Sequence, residues 1–248
     1  MHRVFIEIFG HPIYWYGVLT AIGFLAAVAN WSYLSMRDGR EKGLGSEIGI
    51  WVMAGGILGA RAAYIMANWS DFAQIPLEMI RIDKGGLIYY GGFIGGSLAI
   101  ILLARMRKEP LLNFADFVVT SVPLGHALGR IGCFLNGCCY GTYCELPWAV
   151  YHEQANRHPT PLYETGFNLV VYVILLWFYS HKKRENGMVL GLYLLLYPAG
   201  RFIFEFTRGD GRMRWMGLTV AQEISVGLFI AGCILWIALL GKRIKSDG

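Results

Sequence analysis

Residues 161–180 read PLYETGFNLVVYVILLWFYS, and residues 169–179 within them, LVVYVILLWFY, form an unbroken apolar run. A helix needs roughly 20 residues to cross the hydrocarbon core of a bilayer, so this stretch is long enough to span it. A strand of a membrane β-barrel would instead take about 10 residues with strict alternation of polar and apolar side chains. The run does not alternate, so we predict a transmembrane helix over 161–180.

The composition extends this interpretation to the whole chain. Of the 248 residues, 55% are hydrophobic and 16% are charged, and the mean hydropathy is +0.44. A soluble domain carries about 25% charged residues. We therefore predict an all-α integral membrane protein with a single transmembrane domain over residues 1–248 and no separate soluble domain.

Six further apolar segments have a similar length, which gives seven predicted spans in all. Their boundaries are 13–34, 46–67, 86–104, 111–132, 161–180, 187–207 and 218–241. No basic segment precedes the first span and no small-residue cleavage pattern follows it. We therefore predict that it is a membrane span and not a cleaved signal peptide.

Basic residues cluster after every second predicted span. They are Arg37, Arg40 and Lys42; Arg105, Arg107 and Lys108; Lys182, Lys183 and Arg184; and Lys242, Arg243 and Lys245. Cytoplasmic loops carry an excess of Lys and Arg, so we predict an outside N-terminus and a cytoplasmic C-terminus. The longest connection, 133–160, then faces outside, where we expect a small extracytoplasmic head. The net charge of +5 comes mostly from the flanking clusters, so we expect the bilayer as a partner and no nucleic acid.

Three arginines remain inside the predicted spans, namely Arg61, Arg130 and Arg201. A charge at the bilayer centre costs about 2.5–3.5 kcal/mol on insertion scales, so such residues commonly mark a site. One interpretation is snorkelling or pairing, with Glu164, Glu205 or Glu223 as partners. The other is a shared anion, because all three arginines are predicted at a similar depth and arginine forks suit phosphate. A phosphate in the outer leaflet indicates a phospholipid head group.

Glycine is abundant, with 32 residues, and several glycines fall four residues apart in the predicted spans. They include Gly55, Gly59, Gly91, Gly95, Gly125 and Gly129. Small residues at this spacing let membrane helices approach closely, so we predict close helix packing at most of these positions.

Four cysteines cluster at the end of the fourth predicted span, namely Cys133, Cys138, Cys139 and Cys144. An outside location favours one or two disulfides, although the neighbours Cys138 and Cys139 are poor partners for each other. A metal site usually shows C-x-x-C pairs, whereas the spacing here is C-x4-C-C-x4-C. A third interpretation is that the thiols pack as small, weakly polar residues. The pattern favours disulfides or packing over a metal, and Cys233 is predicted to be core.

The stretch GRIGCFLNGCCYG, residues 129–141, resembles the signature segment of the prolipoprotein diacylglyceryl transferases. The resemblance rests on Gly129-Arg130, Gly132, Phe134, Asn136 and Gly141. Further matching pieces follow in the family's order over nearly the whole chain. They are YWYG at 14–17, GARAAY at 59–64, GGLIYYGGFIGG at 85–96, RHPTPLYE at 157–164, YPAGRFIFEFTRGD at 197–210 and LTVAQ at 218–222.

The resemblance implies a reaction. The family moves a diacylglyceryl group from phosphatidylglycerol to the lipobox cysteine of a prolipoprotein signal peptide and releases glycerol phosphate. It implies a multi-pass protein of the bacterial cytoplasmic (inner) membrane, with phosphatidylglycerol and prolipoprotein signal peptides as partners and neither a cofactor nor a metal. Because a thiol is a poor nucleophile until it is deprotonated, with a reference pKa of about 8.5, a proton acceptor is needed.

The resemblance also assigns roles to residues. Arg130 and Arg201 are expected to stabilise the leaving phosphate, where fixed cationic donors count most. Tyr197 lies one helical turn before Arg201. Arg61 is a weaker candidate for binding the same phosphate. The remaining expected substrate contacts are Tyr16, Gly129, Asn136, Gly141 and His158.

The chain departs from the family pattern at the expected proton acceptor. The family commonly has a histidine before the Gly-Gly pair of the third span, and this chain has Tyr90. Neutral tyrosine, with a pKa near about 10, is a poor base at neutral pH. The candidate substitutes are His126, four residues before Arg130, and His158; alternatively the phosphate or solvent takes the proton. The signature usually has asparagine at Cys133 and glutamate at Cys138.

Two other functions stay open on the sequence. One is a related phospholipid-head-group transferase with a different acceptor, which the departures at Tyr90 and the cysteines allow. The other is an anion or lipid transporter that uses the arginines as an anion path. The order of the glycine and aromatic pieces favours the lipid-to-thiol transferase.

Overall fold

The computed structural model describes residues 3–73, 75–81, 85–152, 154–183, 185–209, 211, 214–215 and 217–246. The side chains of Pro76 and of residues 242–246 are not described, so the basic groups of Lys242, Arg243 and Lys245 lie outside the description, as do Arg184 and Asp210. The backbone contacts divide the chain into two compact units, which are described separately. The large unit holds residues 1–27 and 115–248, and the small unit holds residues 28–114.

Among the residues that the structure describes, seven helical segments have the length and composition to cross a membrane, as the sequence predicts. The helices are α1 (Trp15–Arg37), α2 (Leu44–Ala67), the short α3 (Trp69–Phe72), α4 (Tyr89–Met106), α5 (Leu111–Val119), α6 (Val122–Asn136), α7 (Thr160–His181), α8 (Met188–Glu205) and α9 (Val220–Ser246). A 3-10 helix covers Pro76–Ile80. Helices α5 and α6 together make up the fourth span.

The fourth span differs from the prediction in two ways. It is interrupted at Thr120 and Ser121, because Pro123 has no N–H group to continue the hydrogen bonds of α5. Helix α6 also continues to Asn136, so Cys133 lies in its last turn and not in the following loop. The loop that was predicted from residue 133 therefore begins at Gly137.

Large apolar side chains face outward from the helices. Leu58 of α2, Phe93 of α4 and Ile234 of α9 are exposed by 69%, 59% and 64%. Buried positions include many polar and charged residues, among them Asp116, Glu164 and Arg208. An apolar exterior around a polar interior is expected where hydrocarbon and not water surrounds the helices. The exposure pattern therefore agrees with an integral membrane protein.

Helices α6, α7, α8 and α9 of the large unit pack against one another in chain order. An apolar cluster of Val119, Val171, Leu175 and Val189 lies at one end of this packing. Beside it, the fully buried carboxylate of Asp116 accepts hydrogen bonds from the backbone N–H groups of Gly187 (2.7 Å) and Leu190 (2.8 Å) at the start of α8. Asp116 thereby satisfies amides that a helix N-terminus leaves unpaired.

The described part of the large unit also contains three short hairpins, which the sequence analysis did not predict. They pair β1 (Val4–Ile8) with β2 (His11–Tyr14), β3 (Val150–His152) with β4 (Ala155–Arg157), and β5 (Arg214–Trp215) with β6 (Leu218–Thr219), all antiparallel. The β3–β4 hairpin lies within the predicted head, and an isolated bridge joins Tyr143 to Arg157. The described part of the connection between α6 and α7 is thus folded.

The small unit is built on a close crossing of α2 and α4. A Cβ atom at Gly95 would overlap the carbonyl oxygen of Gly55, and a Cβ atom at Gly91 would overlap that of Gly59. Only glycine allows two backbones this near to each other. The predicted close packing is therefore confirmed at these four glycines.

Candidate phosphate site on helices α6, α7 and α8

Glu164 is the centre of an ionic cluster in the large unit. It lies in the first two turns of α7 and is 2% exposed. Its Oε1 accepts a hydrogen bond from Nη1 of Arg201 at 3.2 Å and lies 3.5 Å from Nη1 of Arg208, while its Oε2 lies 2.5 Å from Nε of Arg130. One carboxylate therefore gathers three arginines from three separate segments of the chain.

Arg130 is held through its inner nitrogen. Its Nε–H donates to Nε2 of His126 at 3.1 Å, one turn earlier on α6, and Glu164 Oε2 lies beside the same nitrogen. The terminal nitrogens Nη1 and Nη2 have no hydrogen-bond acceptor among the residues that the structure describes. An arginine fixed in this way presents a free pair of donors, which matches two oxygens of a phosphate.

Arg201 is held from both sides. Its Nη1 donates to Glu164, and its Nη2 lies 2.9 Å from Oε2 of Glu205, one turn later on α8. Glu205 in turn accepts a hydrogen bond of 2.9 Å from the hydroxyl of Thr219. These contacts correspond to the pairing interpretation of the sequence analysis, with Glu164 and Glu205 as the partners.

Several charged groups pack closely in this cluster. The guanidinium groups of Arg130, Arg201 and Arg208 face the carboxylates of Glu164 and Glu205. Buried charges interact strongly because little water screens them. The terminal nitrogens of Arg130 are the donors through which this cluster can bind an anion.

The geometry around His126 bears on its expected role as a base. Its Nε2 lone pair accepts the hydrogen of Arg130, so that nitrogen is not available to take a proton from a thiol in this arrangement. The centroid of the Tyr197 ring lies 5.5 Å from that of His126. The same ring stacks on Tyr193, with 5.2 Å between the centroids. His126 and Tyr197 thus pack beside the arginines, and a proton-accepting role for His126 stays a prediction.

The other predicted contacts on α1 and α6 lie around the same helix end. Helix α1 passes close to α6 at Tyr16, whose Cα would lie 3.1 Å from a Cβ atom at Gly132. A Cβ atom at Gly129 would meet no atom within 4 Å, so the helix surface next to Arg130 is open. Asn136 is the last residue of α6 and lies two residues before Cys138.

Gly141 and His158 belong to the folded connection after α6. The backbone N–H of Gly141 donates to the carbonyl of His158 at 2.9 Å, and Gly141 also forms a bridge with Arg208. His158 contacts the hydroxyl of Tyr163 at 3.3 Å through Nδ1. Both residues border the same region, where a small open cleft is lined by Tyr140, His152, Arg157 and His158 among others. Their expected substrate contacts stay predictions.

Arg61 and Tyr90 lie in the small unit. Arg61 is 7% exposed and donates to the backbone carbonyls of Glu78, Met79, Gly85 and Gly86 at 2.5–3.1 Å. This pattern indicates that Arg61 organises the segment before α4, and its expected part in substrate binding stays a prediction. Tyr90 is the second residue of α4 and is 49% exposed, and the centroid of its ring lies 5.8 Å from that of Tyr89.

The cysteines are free thiols in the structure, whereas an outside location favours disulfides. Three of them, Cys133, Cys138 and Cys139, place their Sγ atoms within 4.8 Å of one another. Cys144 is buried elsewhere in the connection, and Cys233 lies in α9.

Sequence analysis missed two members of the ionic cluster as site residues. Glu164 was considered only as a partner that would neutralise an arginine, and Arg208 was not considered, although both belong to the quoted pieces RHPTPLYE and YPAGRFIFEFTRGD. The available signal was a single acidic residue in an otherwise apolar span, which in a membrane requires a partner.

Comparison with known proteins places the chain in a family. The model of the family described as prolipoprotein diacylglyceryl transferase matches residues 3–238. A protein of Finegoldia magna named phosphatidylglycerol–prolipoprotein diacylglyceryl transferase is 33% identical over 248 residues, which cover 100% of this chain and 99% of that protein. Proteins of the same name from Clostridium tetani and Clostridioides difficile are 36% and 35% identical, over 95% and 100% of this chain and 97% and 98% of their own lengths. The chain whose arginines gather around Glu164 therefore belongs to the prolipoprotein diacylglyceryl transferase family.

Proposed function

We propose that this chain transfers the diacylglyceryl group of phosphatidylglycerol to the lipobox cysteine of prolipoproteins. The observation that carries the proposal is the state of Arg130, whose inner nitrogen is anchored while its two terminal nitrogens have no acceptor among the described residues. The substrate phosphate provides oxygens for these donors. The names of the relatives, which specify phosphatidylglycerol and prolipoprotein, support the same reaction.

The reaction replaces one bond at the carbon of the diacylated glycerol that is bonded to the phosphate oxygen. The substrate sulfur supplies an electron pair to this carbon, and the carbon–oxygen bond breaks with its electrons moving to the phosphate oxygen. The products are a thioether on the peptide and glycerol phosphate, and the thiol proton passes to a base. The negative charge that grows on the leaving oxygen is stabilised by guanidinium groups already oriented towards it.

The ionic cluster prepares the site for this charge. Glu164 and Glu205 hold Arg201, and Glu164 and His126 hold Arg130, so neither arginine has to reorganise when the phosphate leaves. We assign His126 to the orientation of Arg130. The proton acceptor is then the phosphate or solvent, with His158 as the remaining side-chain candidate.

We further propose that the protein lies in the bacterial cytoplasmic membrane with its N-terminus outside and its C-terminus in the cytoplasm. The basic residues after every second span support this orientation. The folded connection between α6 and α7 then lies on the outer side as a small head, next to the Arg130 end of α6. The signal peptide of a prolipoprotein, which crosses the same membrane, presents its cysteine on that side.

A direct assay tests the proposal. The purified full-length protein is supplied with phosphatidylglycerol and a synthetic lipobox peptide, and both glycerol phosphate release and the mass gain of the peptide are measured. A peptide with serine in place of the cysteine serves as the substrate control. Product from the cysteine peptide alone supports the proposal, and a folded protein that forms no product contradicts it.

Variants of the arginines test the phosphate role. Arg130→Gln and Arg201→Gln each remove a charged donor, and loss of one such donor lowers turnover about 10²–10³-fold. Arg105→Gln is a matched control, because Arg105 is exposed in the last turn of α4. Full activity in both cluster variants would show that the phosphate binds elsewhere.

The second candidate function is transfer from the same lipid donor to a different acceptor. The family signature usually has asparagine and glutamate where this chain has Cys133 and Cys138, so the surroundings of Arg130 differ in polarity from the family pattern. The same assay with small thiols and with peptides lacking a lipobox distinguishes the two. Faster transfer to one of these acceptors than to the lipobox peptide would favour the second candidate.

A further inference from the structure

Three thiols converge at the C-terminal end of α6. The Sγ atoms of Cys133, Cys138 and Cys139 lie within 4.8 Å of one another, and the thiol of Cys138 donates to the carbonyl of Cys133 at 3.5 Å. Among the described residues, these three cysteines are the group whose side chains lie close enough together to bind one metal ion. The proposed transfer reaction uses none of them, because its reacting thiol arrives on the substrate.

The backbone at the end of α6 creates this convergence. Gly137 adopts a left-handed conformation with φ 72°, its N–H donates to the carbonyl of Phe134, and the N–H of Cys138 donates back to the carbonyl of Cys133 at 3.1 Å. This Schellman turn reverses the chain directly after the helix. Cys139 also has a positive φ, of 63°, which is uncommon for a residue with a side chain. The turn thereby returns both cysteines to the one in the last helical turn.

We propose that Cys133, Cys138 and Cys139 form a three-thiolate site for a soft metal ion of the zinc, cadmium or copper(I) class. Thiolates are the ligands that such ions prefer. Three sulfurs at the usual zinc–sulfur length of about 2.3 Å lie about 4 Å apart, so a contraction of less than about 1 Å brings the observed group to that spacing. The inference does not depend on the transferase activity.

The charges around the thiols suit a metal thiolate. Three thiolates and one divalent ion form a complex with a charge of minus one, and three thiol protons pass to solvent as it forms. Arg130 lies three residues before Cys133 on the same face of α6, and Arg208 pairs with Gly141, two residues after Cys139. Guanidinium groups close to the thiols thus stabilise the anionic complex.

A disulfide is the competing state of the same group. Joining two of the three sulfurs requires an oxidant that accepts two electrons and leaves the third thiol without a partner sulfur. A metal ion uses all three thiols and requires no electron transfer. The two states differ in how many of the three cysteines react with an alkylating reagent after metal removal without reduction. A disulfide then leaves one reactive thiol, whereas a metal site leaves three.

Cadmium provides the test. The full-length protein is purified in detergent, reduced, freed of metal and reductant without oxygen, and titrated with Cd²⁺ while the sulfur-to-cadmium charge-transfer absorption is recorded. We expect one ion per chain, displacement of that ion by Zn²⁺ or Cu⁺, and protection of three cysteines from alkylation as read by mass spectrometry. Absence of the absorption band, or protection of other cysteines, overturns the proposal.

Serine variants locate the site. Cys138→Ser, at a half-buried position after the helix, is expected to lose the band while keeping its helical circular dichroism; Cys133→Ser and Cys139→Ser are expected to behave in the same way. Cys144→Ser and Cys233→Ser are matched controls, because both thiols are free and lie outside the group, and both are expected to keep the band. A band that survives in all three group variants overturns the assignment, as does a disulfide among the three that persists in protein isolated without oxygen.

Discussion

Replacing Glu164 with glutamine tests the arrangement of the ionic cluster most directly. Glutamine keeps the size of the side chain and one carbonyl oxygen that can accept from Arg201, but it removes the charge that three guanidinium groups share. Breaking a buried ion pair typically costs 3–5 kcal/mol, and the retained hydrogen bond puts Glu164→Gln near the lower end, at about 3 kcal/mol. For a chain of this size that corresponds to a fall in Tm of about 6–12 °C.

Both stability and turnover are measured for this variant. Thermal unfolding in detergent gives the change in Tm, and the peptide assay gives turnover, which we expect to fall about 10²-fold because Arg130 and Arg201 lose their common anchor. Glu145→Gln is the matched control. Glu145 is exposed and, among the described residues, accepts a hydrogen bond from the hydroxyl of Tyr143 at 2.7 Å, so Glu145→Gln is expected to change stability by less than about 0.5 kcal/mol.

A double variant provides a second test of whether Glu164 is the common counter-charge of the arginines. Arg208→Gln added to Glu164→Gln removes one of the guanidinium groups that Glu164 had neutralised, so the pair is expected to be less destabilised than the sum of the two single variants. An unchanged Tm in Glu164→Gln, or strictly additive effects in the double variant, would show that Glu164 is not the common counter-charge of the cluster.

Three further substitutions test features outside the cluster by thermal unfolding. Asp116→Ala leaves two amides at the start of α8 without acceptors and is expected to cost about 1–3 kcal/mol. Gly95→Ala forces a methyl group against the carbonyl of Gly55 and should cost at least about 1–3 kcal/mol, whereas Gly227→Ala meets open space and should be tolerated; equal effects would refute the close helix crossing. Arg61→Lys cannot reach four carbonyls with one ammonium group and should lose about 2–3 kcal/mol, which a wild-type unfolding curve would contradict.

The sequence predicted the spans well because hydrocarbon imposes a simple rule of length and polarity. Helix α7, the fifth span, shows this clearly: 161–180 was expected and Thr160–His181 is found. The rule says nothing about short polar structure, so the hairpin of Val4–Ile8 with His11–Tyr14 was missed. The interruption at Thr120 was missed as well, although Pro123 signals it, because the apolar run continues on both sides of the proline.

The site was only partly predictable. Arg130 and Arg201 were visible because a charge in an apolar span is costly, and the same argument applies to Glu164. What the sequence could not show is how far each helix is rotated about its own axis, and that rotation decides that Glu164 faces both arginines. The convergence of Cys133 with Cys138 and Cys139 depends on the left-handed turn at Gly137, which spacing alone does not reveal.

The shared carboxylate has a consequence for how the protein is made. Helix α6 leaves the ribosome before α7 and α8, so Arg130 enters the bilayer before its counter-charge exists. Glu164 follows Arg130 by 34 residues (164 − 130), which at a synthesis rate of about 5–20 residues per second takes about 2–7 seconds. During this interval Arg130 is accommodated by water or by lipid phosphate at the bilayer surface. Lipid phosphate, one of these two transient partners, has the same chemistry as the phosphate that we propose Arg130 binds in the mature enzyme.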